Sequence, residues 1–235
     1  MRHVERANER GKSDLGWLSS CFTYSFADYM NPKRMGFGVL RVVNDDAVAP
    51  QSGFPLHHHE EMEIVTVMLE GTLTHEDSIG NKKELKAGEV QVMTAGTGVN
   101  HSEWNHDPME TVRLFQIWIF PNKRGPPPYY EQKKFDEKDR QNEFQVLVSG
   151  DKKDGVLFIR QDAVFARASL KKGKNIAYQL ADSTHGLFLM VVEGKVNIGA
   201  DRLAERDTIE ITGESHIEVE TPEDADILLI EVPMQ

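Results

Sequence analysis

The chain has 235 residues, enough for one large or two small domains with a substantial core, and its 38 acidic against 27 basic side chains leave a formal charge of -11. That balance excludes non-specific attachment to nucleic acid or anionic membrane, both of which need clustered Lys and Arg. No apolar run approaches the ~20 residues that cross a bilayer, and the single cysteine, Cys21, cannot close an internal disulfide, which suits a reducing cytoplasm.

In chain order, the first ten residues, Met1-Arg-His-Val-Glu-Arg-Ala-Asn-Glu-Arg, are too polar to read as a secretory signal. Cys21 follows among Trp17, Leu18, Phe22 and Tyr24 and is expected to be a buried structural thiol. Short β-branched and aromatic runs broken by Gly, Pro, Asn and Asp then dominate, as in 38–43, 63–69, 89–93 and 112–120. They alternate or run apolar at strand length, and no long segment keeps a 3.6-residue period, so an all-β barrel or sandwich is predicted. Past Pro121 the chain turns polar around Pro126-Pro127-Pro128. Consecutive prolines cannot join a hydrogen-bonded ladder. Residues 121–144 are therefore expected to link an N-terminal unit of 1–120 to a C-terminal unit of 145–235, with a helical turn within 135–141.

The two units repeat each other faintly. Met68-Leu-Glu-Gly-Thr-Leu73 is matched by Val191-Val-Glu-Gly-Lys-Val196, and the run from Leu85 by the run from Leu203. Duplication of one β unit explains this. The copies differ in their histidines, because the offsets that place His57 and His59 before Gly71 land on Leu180 and Asp182 before Gly194. His216-Ile-Glu218 echoes His101-Ser-Glu103 without a partner pair, so the second unit reads as structural and His185 and His216 as ordinary polar residues.

Two histidines one residue apart, His57 and His59, are answered about forty residues later by His101 and Glu103 at the same spacing. Side chains at i and i+2 of a strand share a face. Each pair is thus a two-pronged ligand set, and neighbouring strands would bring four donors around one ion. Three imidazoles and a carboxylate suit iron, manganese, nickel, cobalt, copper or zinc. Six of the nine histidines lie between residues 57 and 106. Of the others there, His58 must face away from its neighbours, His75 is expected exposed in a hairpin beside Glu76 and Asp77, and His106 near a barrel mouth. A solvated polar loop after Pro55 and a metal-free polar cluster are the rival readings. The downstream spacing favours the metal: Glu63 opens a buried-looking strand that reaches the Glu70-Gly71 turn, and the small-residue loop Thr94-Ala-Gly-Thr-Gly98 delivers His101. This is similar to the two-motif pattern of cupin barrels, in which either Glu63 or Glu103 completes the ligand set.

Longer stretches narrow the comparison. Ala7-Asn-Glu-Arg-Gly11, Tyr24-Ser-Phe-Ala-Asp-Tyr29, Met35 through Asp46, Met62-Glu-Ile-Val-Thr66, Leu69 through Asn81, Met93 through Glu103, Gln116-Ile-Trp-Ile119 and Tyr130-Glu-Gln132 resemble the pirin family of bicupins, especially its bacterial quercetinase-like branch. The resemblance is specific in the N-terminal half and loose in the C-terminal half. It implies two stacked cupin β-barrels (double-stranded β-helices) with one mononuclear metal, by preference Fe(2+), in the first. The family's ligand set falls on His57, His59, His101 and Glu103, which leaves Glu63 to line the cavity or to stand behind the ligands. Relatives often carry proline where His58 stands and histidine where Phe22 stands.

The same resemblance implies a quercetin 2,3-dioxygenase acting on a flavonol and O2. Glu103 would take the flavonol 3-hydroxyl proton, since a carboxylate beside an open metal position can act as a base. Phe54, Met93, Val99 and Trp104 are candidate walls for a flat aromatic ligand. The alternative is a metal-dependent, redox-sensitive regulator that binds a protein partner without turnover, and a third reading is an inert storage or structural cupin. The chain is expected to be a cytoplasmic monomer.

Overall fold

In the computed structural model, which describes residues 1–235, the chain forms strands and turns around one short 3-10 turn at Glu137–Arg140. No helix is long and apolar enough to cross a membrane. The first half supplies β1 (Arg2–Glu5), β2 (Gly11–Asp14), β3 (Leu18–Phe22), β4 (Leu40–Val48), β5 (Ser52–His59), β6 (Glu63–Glu70), β7 (Thr72–Asp77), β8 (Lys82–Lys86), β9 (Glu89–Thr94), β10 (Val99–Asn105), β11 (Val112–Ile119) and β12 (Tyr129–Lys134). The second half supplies β13 (Gln145–Ser149), β14 (Leu157–Phe158), β15 (Val164–Leu170), β16 (Asn175–Gln179), β17 (His185–Glu193), β18 (Lys195–Ile198), β19 (Asp201–Ala204), β20 (Thr208–Thr212), β21 (His216–Glu220) and β22 (Ala225–Pro233).

Four sheets result. The first barrel is built from the orders β12-β9-β6-β11-β4-β3-β2 and β5-β10-β7-β8, the second from β1-β20-β17-β22-β15-β13-β14 and β16-β21-β18-β19. The two lists correspond strand for strand through the centre of each sheet, so the repeat seen in sequence is a repeat of architecture. Gly71 and Gly194 occupy the same turn with φ of 78° and 77°, a left-handed conformation that glycine adopts without steric cost.

The edge strands are exchanged. β1, from the chain start, pairs with β20 of the second barrel, and β12 pairs with β9 of the first. The segment expected to be a linker therefore carries a strand. Proline ends at Pro128, and the residues after it, Tyr129-Tyr-Glu-Gln-Lys-Lys134, retain every backbone N–H needed for a ladder.

Strands between the barrels are buried on both faces. In β6, Val65 and Val67 enter a core shared with Phe165, Phe188, Met190 and Leu228 of the second barrel, while Ile64, Thr66 and Met68 point into the first. Buried polar ties cross the same boundary: the Tyr24 hydroxyl and Arg34 both donate to Glu210, at 2.7 and 2.8 Å. Arg206 donates to Asp45 at 2.8 Å.

Candidate metal centre

β10 lies between β5 and β7, with His101 opposite His57 on one side and Asp77 on the other. Pro55 and Leu56 add one residue to β5 relative to β10, where register passes from Phe54–Glu103 to His57–His101. This bulge turns both Phe54 and His57 inward, and His59 follows on the same face while His58 stays exposed.

The ring centroids of His57, His59 and His101 lie 4.4 to 5.0 Å apart. One nitrogen from each falls within 4.8 Å of the other two. Each ring is prepared differently. The His57 Nδ1 donates to the Pro55 carbonyl at 2.8 Å, which leaves Nε2 as the lone-pair nitrogen. The His101 Nε2 is buried and has no hydrogen-bond partner. On its other side, His101 Nδ1 lies 3.4 Å from His75 Nδ1, and His75 Nε2 lies 3.0 Å from Asp77 Oδ2. A carboxylate can only accept, so His75 carries a proton on Nε2, and its Nδ1 is placed to accept the Nδ1 proton that His101 carries when its Nε2 serves as a ligand. In that arrangement the free nitrogen of His101 is unprotonated, as a metal ligand must be. Asn81 donates to both oxygens of Asp77, at 2.8 and 2.9 Å.

Burial, then the neighbouring His101 and His57, push the His59 ring down to about 4. Burial, then His57 and His75, push His101 down to about 3. Both rings are neutral near pH 7, and three neutral imidazoles around one point are a donor set that fits a divalent transition ion.

Glu103 is buried, and its two oxygens accept from Gln91 at 2.8 Å and Gln116 at 3.0 Å. It groups with His75 and His101 rather than with all three of the converging histidines, but it lines the same cavity as His57, His59 and His101. That cavity holds about 100 Å³ and has an aromatic side from Phe22, Phe26, Phe54 and Trp118. The Trp118 ring meets His59 edge-on at 4.9 Å and Phe26 at 5.2 Å.

Several expectations are corrected. Glu63 does not line the cavity: as an odd-numbered residue of β6 it faces the second barrel, where it accepts from the Thr94 hydroxyl and the Arg160 N–H. His75 is fully buried, not exposed, stacked 4.4 Å from Tyr130. Counting by twos from buried Leu73 would have placed it inside. Met93 and Val99 belong to a packed cluster with Ile64 and Ala95, and Trp104 lies outside the cavity, so only Phe54 of the expected walls is one. Cys21 is half-buried, and His106 is exposed at the end of β10. Phe22, where histidine was the familiar alternative, stacks against Tyr29 at 6.2 Å and adds to the apolar side.

In the second barrel the echo is out of phase. Ile217 and Val219 of β21 face inward, so His216 and Glu218 face solvent. His185 is buried against Glu231 at 2.9 Å, and that carboxylate also accepts from Tyr178 and the Ala181 N–H. It is a satisfied structural cluster.

Comparison with known proteins agrees with this architecture. Residues 3–119 match the pirin family and residues 146–232 match the quercetinase C-terminal cupin domain. The chain is 41% identical over 233 residues to quercetin 2,3-dioxygenase of Escherichia coli (strain K12), covering 99% of each chain. It is 44% identical over 223 residues to a putative quercetin 2,3-dioxygenase of Pseudomonas aeruginosa, covering 94% of this chain and 95% of the relative. Its fold superposes with a TM-score of 0.94 on the bacterial pirin YhhW from Escherichia coli in complex with nickel(II), at 41% identity and 99% coverage of both chains.

Proposed function

The chain belongs to the pirin family, and from that premise we propose that it is a metal-dependent oxidoreductase of the quercetin 2,3-dioxygenase type, cleaving flavonols with O2. The observation that carries the reading is the convergence of three imidazoles, one with a buried unpaired nitrogen, on an aromatic-walled cavity that also holds a carboxylate. His57, His59 and His101 would hold the ion, with Glu103 as the fourth ligand. Iron(II) is the proposed ion; nickel(II) is the one named for the Escherichia coli relative.

When bound, the ion supplies the Lewis acidity and one-electron chemistry that let O2 react with an aromatic enolate. The protein does the rest. Glu103 accepts the proton of the flavonol 3-hydroxyl, and Gln91 and Gln116 hold the carboxylate in place while it does so. Phe22, Phe54 and Trp118 flank the flat ring and exclude water from the reacting edge. Overall, both atoms of O2 enter the heterocycle, which opens to a depside with loss of carbon monoxide. At about 100 Å³ the cavity is smaller than the roughly 300 Å³ from which ligand pockets ordinarily begin. Flavonol entry therefore requires the cavity wall to yield. The lone cysteine, which cannot close an internal disulfide, supports action in the cytoplasm, where the chain is proposed to act as a monomer.

The test is elemental analysis of protein purified without added metal, followed by addition of quercetin under O2. The expected result is one ion per chain, O2 uptake and carbon monoxide release. His101→Ala should lose both metal and turnover while keeping the fold. A full complement of metal with no O2 uptake would overturn the enzymatic reading in favour of a regulator.

A further inference from the structure

The polar side of the cavity is not explained by the metal. On β4, Asn44 and Asp46 are two residues apart and share the inward face, opposite Gln116 of β11 and Ser20 of β3. Both line the cavity, at 2% and 3% exposure. The Oδ1 of each is buried without a hydrogen-bond partner. Buried polar atoms are ordinarily paired, so two adjacent orphans on one strand face need an explanation. The fold does not ask for them, because Val48, the next inward residue of β4, is plain apolar core. The side-chain amides of Gln91 and Gln116 in that interior are paired, with Glu103 and Thr66, and the unpaired His101 Nε2 is accounted for as a metal donor. The Ser20 hydroxyl serves the Asp46 carboxylate from β3, and the Oδ1 atoms of Asn44 and Asp46 are left as acceptors beside the space a ligand would enter.

We propose that Asn44 and Asp46 are specificity-determining residues that recognise a hydroxyl on the substrate away from the one that faces the histidines, and so favour a flavonol hydroxylated on two edges over one that carries the 3-hydroxyl alone. This deepens the dioxygenase reading and rests on its assignment of the cavity. An aromatic with a single hydroxyl satisfies Glu103 and the histidines but leaves both acceptors unpaired; a polyhydroxylated one pairs them. Desolvation raises Asp46 to about 7, so near neutrality the group can accept from a phenol or, when protonated, donate to a phenol oxygen. A site built to pair a substrate hydroxyl rejects analogues that lack it far more strongly than an apolar pocket rejects a missing methylene.

The experiment compares anaerobic binding of quercetin and of 3-hydroxyflavone to the nickel-loaded full-length protein, read by quenching of tryptophan fluorescence. The parent is expected to bind quercetin at least about tenfold more tightly. Asn44→Leu and Asp46→Leu should each erase most of that preference while leaving 3-hydroxyflavone affinity within about threefold, and Asp46→Asn, which keeps an acceptor, should retain it. Equal loss for both ligands would assign the pair a packing role and overturn the proposal. So would a preference that survives both leucine variants, which would mean that the two atoms serve a held water. Preference without O2 uptake would sink the oxygenase reading alone, and uptake without preference would sink this inference alone. Failure of both flavonols to bind would remove both.

Discussion

His101 is useful because one side of its ring is tied and the other is free. The contact through His75 to Asp77 sets which nitrogen carries the proton, and Asn81 steadies Asp77 in turn. Burial works against Asp77, but the Asn81 and His75 donors outweigh it and hold the carboxyl below its usual range. Groups that orient a ligating histidine are commonly worth about 10- to 100-fold in metal affinity. His75→Leu, close in volume and unable to hydrogen-bond, should weaken metal binding by that factor in a chelator competition. Unchanged affinity would show that packing alone orients the His101 ring. Glu63 illustrates the opposite case, a titratable group near the site that does not serve it. Burial pushes it up to about 7 against the opposing donors Arg160 N–H and Thr94. The folded state thus binds this proton more tightly than the unfolded chain, whose carboxyl titrates near 4.5. The stability it contributes is complete below 4.5 and is lost as pH rises through about 7. Glu63→Gln should gain on the parent as pH rises, by on the order of 1–3 kcal/mol between pH 4 and pH 8. Urea unfolding of both proteins across that range checks it, and parallel pH profiles would refute the assignment.

A glycine in β5 governs how closely two strands approach. A Cβ on Gly53 would sit 2.2 Å from the Glu103 carbonyl oxygen and 2.6 Å from the Trp104 Cα, both backbone atoms that cannot swing aside. Gly53→Ala must therefore push β5 away from β10, and with it His57 away from His101. We expect a loss of roughly 2–4 kcal/mol and of most bound metal, read by calorimetric melting and metal content. Retained metal would mean that the bulge at Pro55 and Leu56 absorbs the shift. Parity also decides the fate of the duplicated motif. The two β10 residues with metal-binding chemistry point inward, whereas their β21 counterparts point outward. A one-residue change of phase along a strand exchanges every side chain between faces, so the second barrel keeps the shape of the first and none of its donor set.

At the scale of the whole molecule, the barrels are not independent. The core shared by Val65, Val67, Phe115, Phe165 and Phe188 spans both, and each barrel borrows its outer strand from chain outside its own repeat. Unfolding should be a single cooperative transition. Phe188→Ala, in the second barrel, should cost about 3–5 kcal/mol and shift metal release in the first by the same increment of denaturant. Circular dichroism and metal release followed in parallel test this; separated transitions would mean the barrels unfold independently. Deleting residues 1–5 should likewise lower stability, since it leaves β20 with an unpaired edge.

What the sequence determined by itself was whatever is local: the period of two that makes the chain all-β, the repeated turn at Gly71 and Gly194, and the pairs His57–His59 and His101–Glu103, each able to share a face. Tertiary structure decided everything that depends on which strand lies beside which. It made β10 the neighbour of both β5 and β7, and so brought buried His75 against His101. It set Glu63 on the far face of a strand buried on both sides, where hydrophobicity cannot reveal which side is which. It also drew β12 out of a polar linker and exchanged the edge strands. Strand pairing joins residues remote in sequence, and its hydrogen bonds run between backbone groups that every residue carries, so partner and register emerge only when the whole sheet closes.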